Sequence, residues 1–249
     1  MNALSLRRDP LRLAFSKAPW SAAWYLTGYL FIGTALCAVA LTAVLTGAVF
    51  AITLAGIPLL VAASEAVRWC ADVERARLRP RYGVVEGGYR EPPGPGVVSK
   101  LRTRWQDPAT WRDIAYLLGM YVPLFTLDLI VLALWLTFLA GITLPAWYWA
   151  PWQSVHGTRF HGYQLGYFPN GPHGHPGYGL YIDTLPKALL AAAVSLVLFL
   201  LCNYALVATA RAHTAVARAL LGRSEDPLRE AKEVLRRPGV LNTLIPHER

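Results

Sequence analysis

A polar, basic segment from Ala71 to Asp113 separates two long apolar halves of this chain, and that pattern constrains the fold more than any other feature. Nine lysines and arginines in the segment, Arg75 to Arg112, stand against six acids, Asp72 to Asp113. Apolar runs long enough to cross a bilayer lie on both sides, so the arginine excess marks a cytoplasmic loop by the positive-inside bias. The remaining segments are oriented from it.

Composition agrees. Of 249 residues, 55% are hydrophobic and 16% charged, which does not suit a soluble domain and does suit a multi-span membrane protein. A net charge of +9 would suggest nucleic acid in a soluble chain. Here 22 of the 24 basic residues fall before Trp20, from Arg68 to Arg112, or from Arg211 onward, so membrane orientation accounts for the charge. No nucleic-acid module accompanies it, and nucleic acid is not expected as a partner. Cys37, Cys70 and Cys202 lack CxxC spacing and imply neither a disulfide framework nor a zinc site. Arg7, Arg8, Arg12 and Lys17 precede an apolar run that continues past the length of a signal peptide's core, so this run is expected to be a retained span.

Four spans are predicted, at about 22–46, 48–69, 114–144 and 185–210. Gly47 is expected to turn a tight hairpin between the first two, with Gly56 and Pro58 bending the second helix. The Glu91–Gly96 run reads as a structureless connector. Asp107-Pro108 reads as a helix start, and Pro123 as a possible kink in the third span. Residues 145–184 carry only Arg159 and Asp183 as full charges, which fits an external loop and leaves both termini cytoplasmic. Glu65 and Arg68, three apart, are expected to pair. After residue 222, Asp226-Pro227 opens a short amphipathic tail helix with Leu228, Ala231 and Leu235 on one stripe. It either lies on the membrane or docks on a partner.

An internal repeat follows once the spans are placed. Trp20-x4-Tyr25-Leu26-x-Gly28 is matched by Trp111-x4-Tyr116-Leu117-x-Gly119, and Arg68-x6-Arg75-x2-Leu78 by Arg211-x6-Arg218-x2-Leu221. The fold class expected is therefore all-α: an integral membrane four-helix protein of two parallel helical-hairpin repeats, both termini cytoplasmic.

These openings, with Gly56-Ile57-Pro58-Leu59-Leu60, Glu74-Arg75 and Asp107-Pro108-x2-Trp111-Arg112, resemble the actinobacterial putative sensor domain over about residues 10–222. The resemblance implies a four-span module of the kind often found ahead of a histidine kinase. Only 38 residues follow Arg211, with no glycine-rich nucleotide loop and no phospho-acceptor box around His213 or His247, so a stand-alone module is expected.

Asp128 is the sole acid deep in an apolar run, where an ionised carboxylate costs about 2.5 to 3.5 kcal/mol on insertion scales. Thr34, Thr53 and Ser195 come at similar depth, and the four could form one polar layer. Two roles stay open for it, a structural hydrogen bond between helices and a ligand- or proton-responsive site. In the external segment Trp147, Trp149 and Trp152 suit either a loop folded onto the bilayer surface or a recognition surface for a lipid or small amphiphile. His156, His161, His173 and His175 share this loop. His173-Gly-His175 is short enough to share a metal, but without helical i, i+4 spacing or a neighbouring cysteine or glutamate a solvated role is expected, with metal binding and proton sensing as the alternatives.

No triad, paired-carboxylate set, P-loop or zincin motif is present, so neither enzymatic activity nor a cofactor is expected. The function expected is a plasma-membrane sensor or regulatory module passing a signal to a cytoplasmic partner. The alternative is a transport-associated or scaffolding subunit packed against another membrane protein. The lipid bilayer is a partner in either case, and homo-oligomerisation is compatible with both.

Overall fold

The computed structural model describes residues 10–53, 56–82, 85, 87–90, 94, 96–155, 158–167 and 178–222. The expected tail helix and most of the Glu91–Gly96 run lie outside them. A short α1 (Pro10–Ala14) is followed by α2 (Lys17–Val49), α3 (Gly56–Tyr82), α4 (Val97–Trp105), α5 (Pro108–Ile114), α6 (Tyr121–Ile142) and α7 (Leu144–Trp147). Four short strands come next, β1 (Trp152–Val155), β2 (Thr158–His161), β3 (Tyr163–Tyr167) and β4 (Tyr178–Ile182), and then α8 (Leu185–Leu221).

Among the described residues, three helical segments are long and apolar enough to cross a bilayer: Lys17–Ile52 of 36 residues, Tyr121–Ile142 of 22 and Leu185–Leu221 of 37. At 1.5 Å per residue the shortest reaches about 33 Å, against a hydrocarbon core of about 30 Å. They make the chain a multi-pass membrane protein.

The stretch expected to form a second span, 48–69, is divided instead. Helix α2 runs through Gly47 to Val49, a 3₁₀ turn covers Phe50–Ile52, and α3 starts at Gly56. The apolar part of α3 ends at Arg68, leaving only about 18 Å of apolar helix. Gly47 is a packing position, not a turn. A Cβ there would lie 3.1 Å from Leu60 Cδ2 and 3.3 Å from the Ala63 Cβ, so its absence lets α2 and α3 close together. Neither proline bends a helix interior. Pro58 falls in the first turn of α3 and Pro123 in the first turn of α6, where a missing N–H leaves no bond unmade. A π-helical turn at Ala115–Gly119 separates α5 from α6.

The chain forms two compact units, Met1–Ala38 with Leu117–Ala215 and Val39–Tyr116 with Val216–Arg249. In the first, side-chain contacts fix the helix directions. The Trp20 and Trp135 rings meet edge to face at 5.1 Å between centroids, and Thr34 Oγ1 lies 2.9 Å from the Tyr121 hydroxyl. Moving forward along α2 thus moves backward along α6. Trp135 with Asn203, and Asp128 with His213, make α6 and α8 antiparallel too. Two parallel hairpin repeats need α2 and α6 to run the same way, so that expectation is corrected.

The chain is mostly helical, as expected, but the segment between α7 and α8 adds strands that the all-α expectation lacked. β1 pairs antiparallel with β2 and β3 with β4, each a separate two-stranded sheet. Aromatic and aliphatic residues at alternate positions suit strands. Gly166 faces Gly179 across the pair, and a Cβ on Gly166, at φ +137°, would collide with the Tyr178 carbonyl. Leu144, Ile182 and Ala188 form a small core at the root of β3–β4, with Trp147, Tyr148 and Tyr163 packed on it.

The second unit is built on α3. Arg104 Nη1 of α4 pairs with Glu65 Oε1 at 2.8 Å, and Trp105 Nε1 donates to the Leu60 carbonyl at 3.2 Å. Glu65 therefore pairs with Arg104, not with Arg68 as its spacing implied. Asp107 caps α5 by accepting from Ala109 N at 3.0 Å, with Pro108 at the first helical position, as its sequence requires.

Candidate functional site

In α6 the buried side chains Leu124, Asp128, Val131, Leu132 and Trp135 recur at helical spacing and form one stripe. α8 carries the matching stripe, with Asn203, Leu206, Ala210 and His213 all fully buried. The first unit thus has two polar rungs inside an apolar bundle. In one, Trp135 Nε1 donates to Asn203 Oδ1 at 3.0 Å, while Asn203 Nδ2 donates to the Phe199 carbonyl at 2.9 Å. In the other, His213 Nδ1 and Asp128 Oδ2 are 2.8 Å apart, and both residues are 0% exposed.

Aromatic rings enclose the second rung. Tyr29 and Tyr25 meet the His213 imidazole edge to face, at 4.2 and 5.4 Å between centroids. The Asp128–His213 contact needs a proton on Nδ1 or on the carboxyl, so the two groups share one protonation problem. Taking either charge out of water is costly, and the contact between the two groups offsets part of that cost. Chemically the pair can hold a proton, move it between its members, or exchange charge with a ligand.

Asp128 thus faces protein, as expected, but the polar layer does not form. Thr34 Oγ1 bonds the Leu30 carbonyl and Tyr121, Thr53 Oγ1 bonds the Phe50 carbonyl in the turn before α3, and Ser195 lies beside Gly141. The partner is His213, which lies beyond the predicted end of the fourth span at about 210 and is a site residue the sequence did not single out. Its signal was the spacing from Asn203 through Ala210 to His213, which keeps one face of an unbroken helix.

The candidates between α6 and α8 disperse. Trp147 is half-buried and donates to Thr143 Oγ1 at 3.0 Å, Trp149 is exposed, and Trp152 lies under the Arg159 guanidinium at 5.1 Å. His161 is exposed, and its carbonyl accepts from the Tyr181 hydroxyl at 2.7 Å. His156, His173 and His175 lie outside the described residues. Among those described, no group of three or more His, Cys, Asp or Glu is placed to hold a metal ion.

The second unit has its own buried charge network, also missed in the sequence. Arg75 is its hub: Nε donates to the Leu221 carbonyl at 2.9 Å, Nη1 to Asp72 at 2.7 Å and to Tyr89 at 2.6 Å, and Nη2 to Asp113 at 2.6 Å. The Tyr89 hydroxyl donates to the other Asp113 oxygen at 2.5 Å. Arg68 Nη2 reaches Asp107 and Thr110, each at 3.1 Å, and its guanidinium lies 4.1 Å above the Tyr89 ring. Burial pushes the Asp113 carboxyl up to about 6, although Tyr89 and Arg75 oppose the shift. Burial also raises the Tyr89 phenol. The network holds the segment around Tyr89 and the start of α5 against α3, with the α8 terminus as a fourth anchor.

A family model described as "Putative sensor" matches residues 25–221. No curated protein and no solved structure matches the chain.

Proposed function

This chain belongs to the sensor family that its residues 25–221 match, and on that premise we propose a membrane sensor module that relays an external or intramembrane signal to a cytoplasmic partner. The Asp128–His213 pair is its responsive element. That pair carries the reading: an acid and an imidazole, both fully buried and bonded to each other, join α6 to α8 within helices long enough to cross the bilayer. A change in proton or ligand occupancy there alters the charge between two spanning helices, and buried charge is expensive enough to shift how they pack.

The site of action is the plasma membrane, crossed three times by α2, α6 and α8. The opposite directions of α2 and α6 support this count. It places residues 53–120 on one side and 143–184 on the other, with the start of α2 on the side of the latter. The ten lysines and arginines from Arg68 to Arg112 outweigh the four before Trp20, so the former side is cytoplasmic.

The test compares the protein with Asp128→Asn in lipid nanodiscs, following hydrogen exchange of α6 and α8 from pH 5 to 8. The protein should change protection over this range and the variant should fold but not respond. A response retained in Asp128→Asn, or absent from the unaltered chain, would leave a scaffolding role for the bundle.

A further inference from the structure

Side chains alternate across a strand, so Tyr163, Leu165 and Tyr167 of β3 share a face with Ile182, Leu180 and Tyr178, their partners on β4. This face changes its surroundings along the hairpin. At the root Ile182 is 8% exposed and the Tyr163 ring meets Trp147 edge to face at 5.6 Å. Further out, Leu165 and Leu180 are 57% and 64% exposed, and Tyr167 and Tyr178 are 56% and 75% exposed, with rings 6.0 Å apart. One apolar face thus begins in a core and continues outward uncovered. The opposite face carries Gln164, Gly166, Gly179 and Tyr181, and neither strand contains a charged residue.

We propose that the face formed by Leu165, Tyr167, Tyr178 and Leu180 rests on the lipid bilayer, as an interfacial anchor beside the ends of α6 and α8. The root of the hairpin lies where a spanning helix begins. Leu185 opens α8 three residues after Ile182, and Asp183 Oδ1 pairs with Lys187 Nζ at 2.6 Å, a charged pair that marks the water boundary. The bilayer is the apolar phase this segment already meets, since Leu185, Leu189 and Leu190 in the first two turns of α8 are exposed. The order along the face fits that occupant. Leucines lie nearer the root and tyrosines, with apolar rings and polar tips, lie further out, which is the chemistry favoured at headgroup level. Absence of charge removes the desolvation penalty that would oppose contact with lipid. The proposal rests on the membrane-spanning helices and is independent of the role of Asp128 and His213.

The test uses the full chain in nanodiscs, with Cys37, Cys70 and Cys202 replaced by alanine and a bimane probe attached at Leu165→Cys, Leu180→Cys or, on the opposite face, Gln164→Cys. Probes at 165 and 180 should shift their emission to the blue, lose quenching by aqueous iodide and be quenched by nitroxide-labelled lipid, relative to the probe at 164. Iodide quenching of all three alike would overturn the proposal by leaving the face in water. Protection from both quenchers would overturn it in favour of a second copy of the chain. Hydroxyl-radical labelling of the unmodified chain in nanodiscs needs no substitution: Tyr167 and Tyr178 stay unlabelled if lipid covers them, and labelling in proportion to their exposure would exclude the anchor.

Discussion

Asp113 shows how a single buried carboxyl can make stability depend on pH. It is 1% exposed, and loss of water outweighs the donors from Arg75 and Tyr89, so its titration lies above the ordinary carboxyl range, at about 6. A raised carboxyl binds its proton more tightly in the folded chain than in the unfolded one. Its contribution to stability is therefore full below about 4 and lost as pH rises through about 6. Asp113→Asn removes that dependence while keeping a group able to bond Arg75 and Tyr89. The melting temperature of the detergent-solubilised protein minus that of the variant should rise as pH falls from 7 to 4.5. A difference that falls instead would mean that the ion pair with Arg75 outweighs burial. Residue identity alone could not have placed this group, because Asp113 sits in a run of charges that reads as solvated surface.

Among the elements, α2 and α3 show what periodicity captures and what it omits. Apolar residues all round α2 make it a helix for a bilayer, and the sequence reading found it. The turn was misplaced because Gly47 has two uses, as a breaker and as a contact without a side chain, and only the neighbouring helix distinguishes them. Gly47→Leu should destabilise by about 1–3 kcal/mol through overpacking against Leu60 and Ala63, measured by unfolding in mixed micelles. Gly94→Leu, with nothing within 4 Å of the added Cβ, should be close to neutral. Equal effects would show that α2 and α3 do not pack at Gly47. The strands are hidden for a related reason: aromatic residues that suit a membrane interface mask the alternation they share with strands.

For the whole molecule, the number of crossings decides the side on which α2 starts. With α2, α6 and α8 crossing, and Cys37, Cys70 and Cys202 replaced, an impermeant thiol reagent applied to intact cells should react with Asn2→Cys and Gly171→Cys and spare Gly94→Cys. Protection at position 2 together with reaction at 171 would require an even number of crossings, with the apolar stretch before Arg68 supplying the fourth. Labelling at 94 would reverse the orientation altogether.

The sequence by itself determined that this chain belongs in a membrane, where its three long apolar helices lie, and that an acid at Asp128 must face protein. Those follow from the transfer of residues between water and lipid, a property each residue carries wherever it sits. It also carried the motifs that place the chain in its family. Only the tertiary structure decided that α2 and α6 run in opposite directions, that His213 and not a threonine or serine partners Asp128, and that Arg75 gathers Asp72, Tyr89, Asp113 and the Leu221 carbonyl. These depend on which helix faces meet. Contacts such as 128 to 213 and 75 to 221 join residues far apart in sequence, and no local pattern of apolar and polar residues specifies them.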